Sequence, residues 1–302
     1  TVGAVSSTKE ITGPGRDRWD DQEFEVRLVC TLDLDGEGGP ETVFDDSVVL
    51  TAPDNLTWEI ENLPTGASCI VSEPRNGGAN QTTIDPEEFT VGSGEQAVEV
   101  GVENYFEQGV VQVRKTLSGE GADFPVVTGG TYVMSLECTR EVDGEVLPVE
   151  IPDGADRTIT GAGTAEWDRL PTGALCVVSE KSSTPQSQGV TISPDDGEVV
   201  VSDTEIEEPV EVVVDNRFDA GYLRINKVVD GPGEGLHDDA SYTFDVDCTL
   251  ADQTVLEQEV TLTREDGSTS LWSDVIGPMP TGTSCHVVET ADGDADGTTG
   301  EA

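Results

Sequence analysis

The sequence predicts an all-β chain of tandem β-sandwich repeats, with one disulfide per repeat. Three observations support this fold class. Valine, isoleucine and threonine alternate with acidic residues in short runs, and no stretch of ten or more residues carries a helical stripe of apolar side chains. The six cysteines fall into three pairs of nearly constant separation. Closely similar segments also recur around the second cysteine of each pair, which indicates an internal repeat.

The cysteine spacing predicts one bridge in each repeat. The separations are 39, 38 and 37 residues for the pairs Cys30 with Cys69, Cys138 with Cys176, and Cys248 with Cys285. A loop of this size stabilises a domain by about 4 kcal/mol, and such pairs are typical of extracellular modules. A zinc site is the alternative, but His237 and His286 lack ligand spacing and no CxxC motif occurs.

The repeated segment contains a turn followed by a strand. It reads LPTGASCIVSE at 63–73, LPTGALCVVSE at 170–180 and MPTGTSCHVVE at 279–289. Proline and glycine favour a tight turn there. A tryptophan precedes each turn, and we expect Trp58, Trp167 and Trp272 to be core aromatics near the disulfide.

The repeats are predicted to span 1–108, 109–219 and 220–302, the third lacking a closing strand. Asn104 and Lys115 are 11 residues apart, as are Asn216 and Lys227. The last strand of one repeat must therefore lead almost directly into the first strand of the next. Such short links predict a stiff rod.

The charge excludes several classes of partner. Acidic residues number 62 against 15 lysines and arginines, giving a net charge of −47, which disfavours binding to nucleic acid or anionic lipid. The charge is typical of a solvated acidic surface, with a surface for metal or cationic ligands as the alternative. No apolar run of about 18 residues and no signal peptide occurs, so we expect a segment of an ectodomain without membrane insertion.

Three kinds of polar residue recur on the apolar face of predicted strands. Because residues two apart share a face, each lies in line with neighbouring valines or a cysteine. The first strand carries lysine, the strand after the second cysteine carries glutamate, and the last strand carries asparagine: Lys9, Lys115 and Lys227; Glu73, Glu180 and Glu289; Asn104 and Asn216. Three of the four lysines occupy this one position. Isolated buried charges are costly, so these groups must meet one another or change protonation state.

If the lysine, glutamate and asparagine side chains meet in the core, the lysine can react with the asparagine. Desolvation lowers the pKa of a lysine and raises that of a glutamate, leaving a neutral amine beside a protonated carboxyl. The amine can then attack the asparagine side-chain carbonyl and expel ammonia. The alternative is an unreacted lysine and glutamate hydrogen-bonded to asparagine.

These motifs resemble the collagen-adhesin B-type (Cna-B-like) immunoglobulin-fold domains of Gram-positive surface proteins, in particular a disulfide-containing variant in actinobacteria. HVVETADG at 286–293 is similar to a VET segment of that family. The resemblance implies immunoglobulin-like sandwiches and two intramolecular isopeptide bonds. One would join Lys9 to Asn104 with Glu73 as catalyst, and the other Lys115 to Asn216 with Glu180. The family usually lacks a disulfide, so the cysteines are a departure.

The third repeat departs further from the family pattern, because Lys227 and Glu289 have no partner asparagine in this sequence. Either its closing strand lies outside this sequence, or a strand of another molecule completes the sheet. Asp292, Asp294 and Asp296 match the opening of a calcium loop, but a flexible acidic loop is the favoured interpretation.

No catalytic triad or phosphate loop is visible, so we expect no enzyme beyond one autocatalytic turnover, and no cofactor. The leading hypothesis is a stalk of an extracellular protein of the cell surface or cell wall, whose partners are the neighbouring domains. One alternative is an adhesin for a host or matrix ligand. The other is a filament or pilus subunit that associates with itself by strand donation to the third repeat.

Overall fold

The chain is built from strands, as the alternating sequence predicts. The computed structural model describes residues 1–18, 22–34, 39–53, 56–94, 96–203, 208–265 and 267–300. Within these ranges the single α-helix is α1, Pro125–Thr128, and short 3-10 turns cover Arg16–Arg18, Asp195–Gly197 and Glu234–Leu236. None of the helices in the described ranges is long and apolar enough to span a membrane. The all-β fold class is confirmed.

The first repeat is a sandwich of two four-stranded sheets. Its strands are β1 (Val2–Thr12), β2 (Glu23–Leu32), β3 (Glu41–Thr51), β4 (Thr57–Pro64), β5 (Ser68–Arg75), β6 (Gln81–Asp85), β7 (Glu88–Thr90) and β8 (Val98–Tyr105). One sheet has the order β4-β1-β8-β6 and the other β3-β2-β5-β7. The first and last strands, β1 and β8, are parallel neighbours, while the other ladders are antiparallel.

The second repeat has the same plan with one extra strand. Its strands are β9 (Gln108–Ser118), β10 (Thr131–Val142), β11 (Glu145–Pro148), β12 (Asp156–Thr160), β13 (Gly163–Pro171), β14 (Leu175–Thr184), β15 (Gly189–Ser193), β16 (Glu198–Val200) and β17 (Val210–Arg217). One sheet has the order β13-β9-β17-β15; the other is β11-β10-β14-β16, with β12 also paired to β10. Again the first and last strands, β9 and β17, are parallel neighbours.

The third repeat has fewer ladders. Its strands are β18 (Ala220–Leu223), β19 (Asn226–Val228), β20 (Ser241–Leu250), β21 (Gln253–Thr263), β22 (Ser270–Trp272), β23 (Ile276–Pro280) and β24 (Ser284–Ala291). The sheet β21-β20-β24 packs against the two-stranded ladders β18-β23 and β19-β22 through one apolar cluster. In the described part of the chain, β19 has β22 as its ladder partner, whereas β1 and β9 each also pair with a closing strand.

Each repeat has its own core, and its disulfide lies within one sheet. The two cysteines of each pair face each other on adjacent antiparallel strands, Cys30 opposite Cys69, Cys138 opposite Cys176, and Cys248 opposite Cys285. All three bridges are present, so the prediction of one disulfide per repeat is confirmed. They join neighbouring strands of one sheet, so they do not link the two sheets of a repeat to each other.

The three tryptophans differ in burial. Trp167 is fully buried and its Nε1 donates to the carbonyl of Ala155 at 2.9 Å, while Trp58 lies at the edge of its core. Trp272 is 57% exposed, so the prediction of a core residue is wrong there. Both rings have an arginine near them, Arg157 at 5.7 Å from the centroid of Trp167 and Arg224 at 5.4 Å from that of Trp272, but Trp167 also packs within the apolar cluster of its repeat.

The links between repeats are two residues long and anchored. Phe106 and Glu107 separate β8 from β9, and Phe218 and Asp219 separate β17 from β18. Both phenylalanine side chains are buried in the preceding repeat. The chain therefore enters each new repeat from a fixed point on the one before.

Candidate functional site

The first candidate site lies between the two sheets of the first repeat. Lys9 comes from β1, Asn104 from β8 in the same sheet, and Glu73 from β5 in the opposite sheet. Lys9 Nζ lies 2.8 Å from Glu73 Oε1, and both side chains are at most 1% exposed. Asn104, which is fully buried, donates from Nδ2 to Glu73 Oε1 at 3.3 Å. The structure thus gathers all three side chains in the core.

Burial dominates the electrostatics of this site. It lowers the pKa of Lys9, while the neighbouring Glu73 carboxylate opposes the shift. It also raises the pKa of Glu73, against the opposing effects of Lys9 and Asn104. The Lys9 ammonium and the Glu73 carboxylate form an ion pair at 2.8 Å. Both shifts favour the proton arrangement of neutral amine and neutral carboxyl.

The second site has the same members with different contacts. Asn216 Nδ2 donates to Glu180 Oε1 at 3.0 Å. Lys115 Nζ instead donates to the carbonyl oxygens of Thr116 at 2.7 Å and Val214 at 3.4 Å. Burial lowers the pKa of Lys115 to about 8, although the charges of Glu180 and Asp215 oppose it. This amine is therefore closer to neutral at physiological pH than an exposed lysine.

Lysine and asparagine have the same strand register in both repeats. On the parallel ladder of β1 and β8, Lys9 pairs with Val102 and Ile11 pairs with Asn104. On that of β9 and β17, Lys115 pairs with Val214 and Leu117 with Asn216. The asparagine is thus one pleat beyond the lysine on the adjacent strand, and both side chains point into the core.

The third repeat holds the lysine and glutamate alone. Lys227 Nζ lies 2.6 Å from Glu289 Oε1, and each side chain is 14% exposed. The sequence contains no asparagine after Glu289. The pair is therefore more accessible than the fully enclosed pair in the first repeat.

An aromatic ring beneath each lysine is the member that sequence reasoning missed. Lys9 Nζ lies 4.7 Å from the ring centroid of Phe24, Lys115 Nζ 4.6 Å from Tyr132, and Lys227 Nζ 4.7 Å from Tyr242. Such rings attract cations and exclude water. A signal was present, since an aromatic residue stands six positions before the first cysteine of every repeat.

The acidic loop after β24 forms a turn. Asp294 N donates to Asp292 Oδ1 at 3.2 Å, as Gly78 N donates to Asn76 Oδ1 at 3.0 Å in the first repeat. Asp296 occupies the place of Asn80 in this turn. Across the described ranges, no three His, Cys, Asp or Glu side chains gather closely enough to hold a metal ion, and this includes the calcium candidates Asp292, Asp294 and Asp296.

Comparison with known proteins places the chain in a family. No curated protein matches it. Solved structures similar to it include a major pilin of Streptococcus pyogenes (13% identity, 72% of this chain and 98% of the pilin, TM-score 0.38) and two B repeat units of the collagen-binding protein of Staphylococcus aureus (12% identity, 96% and 69%, TM-score 0.25). The Bacillus anthracis TIE protein is similar at 17% identity over 97% of this chain and 46% of that one, with a TM-score of 0.35. A family described as a domain of unknown function, DUF5979, matches residues 5–107, 111–219 and 223–302. The chain belongs to the DUF5979 family and carries three consecutive matches to it.

Proposed function

We propose that this chain is a load-bearing stalk of an extracellular cell-surface protein, and that isopeptide bonds close its first two repeats. The observation that carries the proposal is the placement of Lys9 and Asn104 on the strands that begin and end the repeat, side by side and fully buried. The same placement recurs for Lys115 and Asn216. Each pair also meets a glutamate from the opposite sheet or lies beside one.

The chemistry needs only groups that are present. Neutral Lys9 Nζ attacks Asn104 Cγ, a new C–N bond forms, the bond from Cγ to Nδ2 breaks, and ammonia leaves. The proton lost by the amine passes through Glu73 to the departing nitrogen. Asn104 Oδ1 is buried and has no hydrogen-bond partner in the part of the chain that the structure describes, so a half-turn of the amide would present it to a protonated Glu73 for polarisation.

Tension on such a stalk enters each repeat at its terminal strands. Because β1 and β8 are parallel neighbours, pulling the start of β1 away from the end of β8 shears their whole ladder at once. A covalent bond from Lys9 to Asn104 would carry this load directly. The six intervening strands would then lie outside the force path.

Intact mass under reducing conditions tests the proposal. Each isopeptide bond removes one ammonia, so we expect a deficit of about 17 Da per bond and about 34 Da for the chain. Glu73→Gln and Glu180→Gln should each prevent one isopeptide bond, so that each variant lacks one of the two mass deficits. Lys181→Arg is the matched control, because Lys181 is an exposed lysine paired with Asp156. A reduced mass equal to that of the sequence would overturn the crosslinks, because disulfides cannot account for a deficit that persists after reduction.

Strand donation to the third repeat is a second candidate function, and the exposed apolar side chains of that repeat support it. Tyr222, Val228 and Trp272 are 57–60% exposed, and they lie on the ladders β18-β23 and β19-β22, which have no closing strand among the described residues. A strand from another molecule could cover them and reach Lys227. Concentration-dependent, reduction-resistant oligomers of purified protein would support this candidate, and a monomer at all concentrations would refute it.

A further inference from the structure

The junctions between repeats contain a recurring side-chain contact. At the first junction Asn80 Oδ1 accepts the backbone N–H of Glu107, in the link, at 2.9 Å. Its Nδ2 donates to Thr172 Oγ1, in the turn of the second repeat, at 2.6 Å. One amide group therefore bonds the link with one end and the next repeat with the other.

The second junction repeats the arrangement with glutamine. Gln188 Oε1 accepts the backbone N–H of Asp219, in the link, at 2.9 Å. Its Nε2 donates to the carbonyl of Thr281, in the turn of the third repeat, at 3.1 Å. Thr172 and Thr281 occupy the same place in their PTG turns.

Asn80 and Gln188 are equivalent by backbone position as well. The N–H of Asn80 donates to the carbonyl of Tyr105, and that of Gln188 to the carbonyl of Arg217. Each acceptor directly follows a buried asparagine of the candidate sites, Asn104 or Asn216. Two amide side chains of different length thus bond both the link and the following PTG turn from one position in the fold, Asn80 through the Thr172 hydroxyl and Gln188 through the Thr281 carbonyl.

The corresponding turn of the first repeat provides a comparison within the described residues. Thr65 is the counterpart of Thr172, and its buried Oγ1 has no hydrogen-bond partner among the described residues. Thr172 is also buried, but its hydroxyl accepts from Asn80 and donates to Glu107 Oε2 at 3.3 Å. A buried hydroxyl without partners is unfavourable, so the contact from Asn80 stabilises the turn of the second repeat.

Further contacts surround each amide. At the first junction Arg140 donates to the carbonyl of Gly78 at 2.7 Å, and Val142 packs where a side chain at position 78 would stand. At the second, Leu250 and Val255 of the third repeat pack against the core of the second. The amides therefore belong to interfaces with both polar and apolar contacts.

We propose that Asn80 and Gln188 act as amide clamps that fix the orientation of each following repeat, so that the PTG turn is a docking surface for the preceding repeat. The clamp couples successive repeats into one body. This inference rests on the junctions alone and does not depend on the isopeptide bonds or on the role as a stalk.

Residual dipolar couplings on the full chain test the clamps, because repeats held in one body share one alignment tensor. In the unaltered chain we expect the same tensor, in magnitude and direction, for all three repeats. Gln188→Glu keeps the acceptor for Asp219 N–H but sets a carboxylate oxygen against the carbonyl of Thr281, which cannot donate. We expect the third repeat to lose the shared tensor, while Gln186→Glu, the same charge change at an exposed neighbour, should leave it intact.

A second pair of variants keeps the test decisive if Gln188→Glu perturbs folding. Thr172→Val removes the hydroxyl that Asn80 reaches, whereas Thr65→Val removes a hydroxyl without partners. We expect loss of the shared tensor between the first and second repeats for Thr172→Val alone, with chemical shifts inside each repeat unchanged. Different tensors in the unaltered chain, or a shared tensor retained in both Gln188→Glu and Thr172→Val, would overturn the proposal.

Discussion

Lys9 and Asn104 point into the same core from parallel neighbouring strands, with the asparagine one pleat further along the ladder. The two strands are the first and the last of their repeat, about 95 residues apart in sequence. A bond between these side chains would therefore close nearly the whole repeat into one covalent loop. The disulfide from Cys30 to Cys69 lies inside that loop. The isopeptide bond would thus carry the tension, whereas the disulfide would bear force only if the isopeptide bond were absent and the repeat unfolded.

Single-molecule stretching should distinguish the mechanical effect of the isopeptide bond from that of the disulfide. With isopeptide bonds in place, we expect no extension from the first two repeats. In Lys9→Arg the first repeat should unfold and gain length on the order of 200 Å, because the disulfide still holds its 39-residue loop. Reduction should add roughly 130 Å more. Extension of the first repeat in the unaltered chain would contradict the force path, and the second repeat is the internal control.

Lys9→Arg should also lower the stability of the first repeat. A crosslink that closes a loop of this length stabilises a domain by about 4.7 kcal/mol in the chain-entropy model. Arginine retains a positive charge opposite Glu73 but does not supply the nucleophilic amine. We expect calorimetry to show one transition moved to lower temperature, with the transition of the second repeat unchanged. An unshifted transition for the first repeat would mean that no such bond stabilises it.

The sequence alone predicts those features of the candidate sites that depend on strand periodicity. Two-residue alternation predicts that Lys115 and Asn216 face inward, and the structure buries both. The nearly constant cysteine spacing predicts the bridges, but not that they join strands of the same sheet. Alternation says which face a residue occupies and nothing about which strand will lie opposite, so pairing across the sandwich had to come from the structure.

Other features depend on contacts between segments distant in sequence. The ring of Tyr132 beneath Lys115 belongs to a different sheet, and the exposure of Trp272 depends on what covers it. The amide clamps join residues 92 and 93 positions apart. Only the aromatic had a sequence signal, in its fixed distance from the first cysteine.

Phe24→Leu should impair crosslinking in the first repeat alone. The Phe24 ring lies 4.7 Å from Lys9 Nζ and shields the amine from water. Leucine leaves part of that space open, so water can solvate the ammonium and return its pKa toward the ordinary value. We expect a mixed population in which part of the protein lacks the first mass loss of about 17 Da. Peptide mapping should show the second repeat fully crosslinked, and complete crosslinking of both repeats would argue against a role for the ring.

The pH dependence of stability should reveal the buried amine of Lys115 when no crosslink can form. In Asn216→Ala the lysine stays free, and its pKa is about 8 in the folded chain against 10.5 when unfolded. Between these values the unfolded chain binds the extra proton, so stability rises with pH from about 8 toward 10.5. Below about pH 8, Lys115 is protonated in both the folded and the unfolded chain. Its contribution to the free energy of unfolding is then constant and at its least favourable value. The full difference corresponds to about 3 kcal/mol.

Chemical denaturation of Asn216→Ala from pH 7 to 10 is the measurement, with the double variant Asn216→Ala, Lys115→Met as its control. The range stops at pH 10 because burial raises the pKa of Tyr132 to about 12, so that its ionisation in the unfolded chain destabilises the fold above pH 10. We expect the single variant to gain stability relative to the double variant as pH rises. Parallel curves would show that Lys115 has an ordinary pKa, and the neutral amine required for attack on Asn216 would then be scarce at physiological pH.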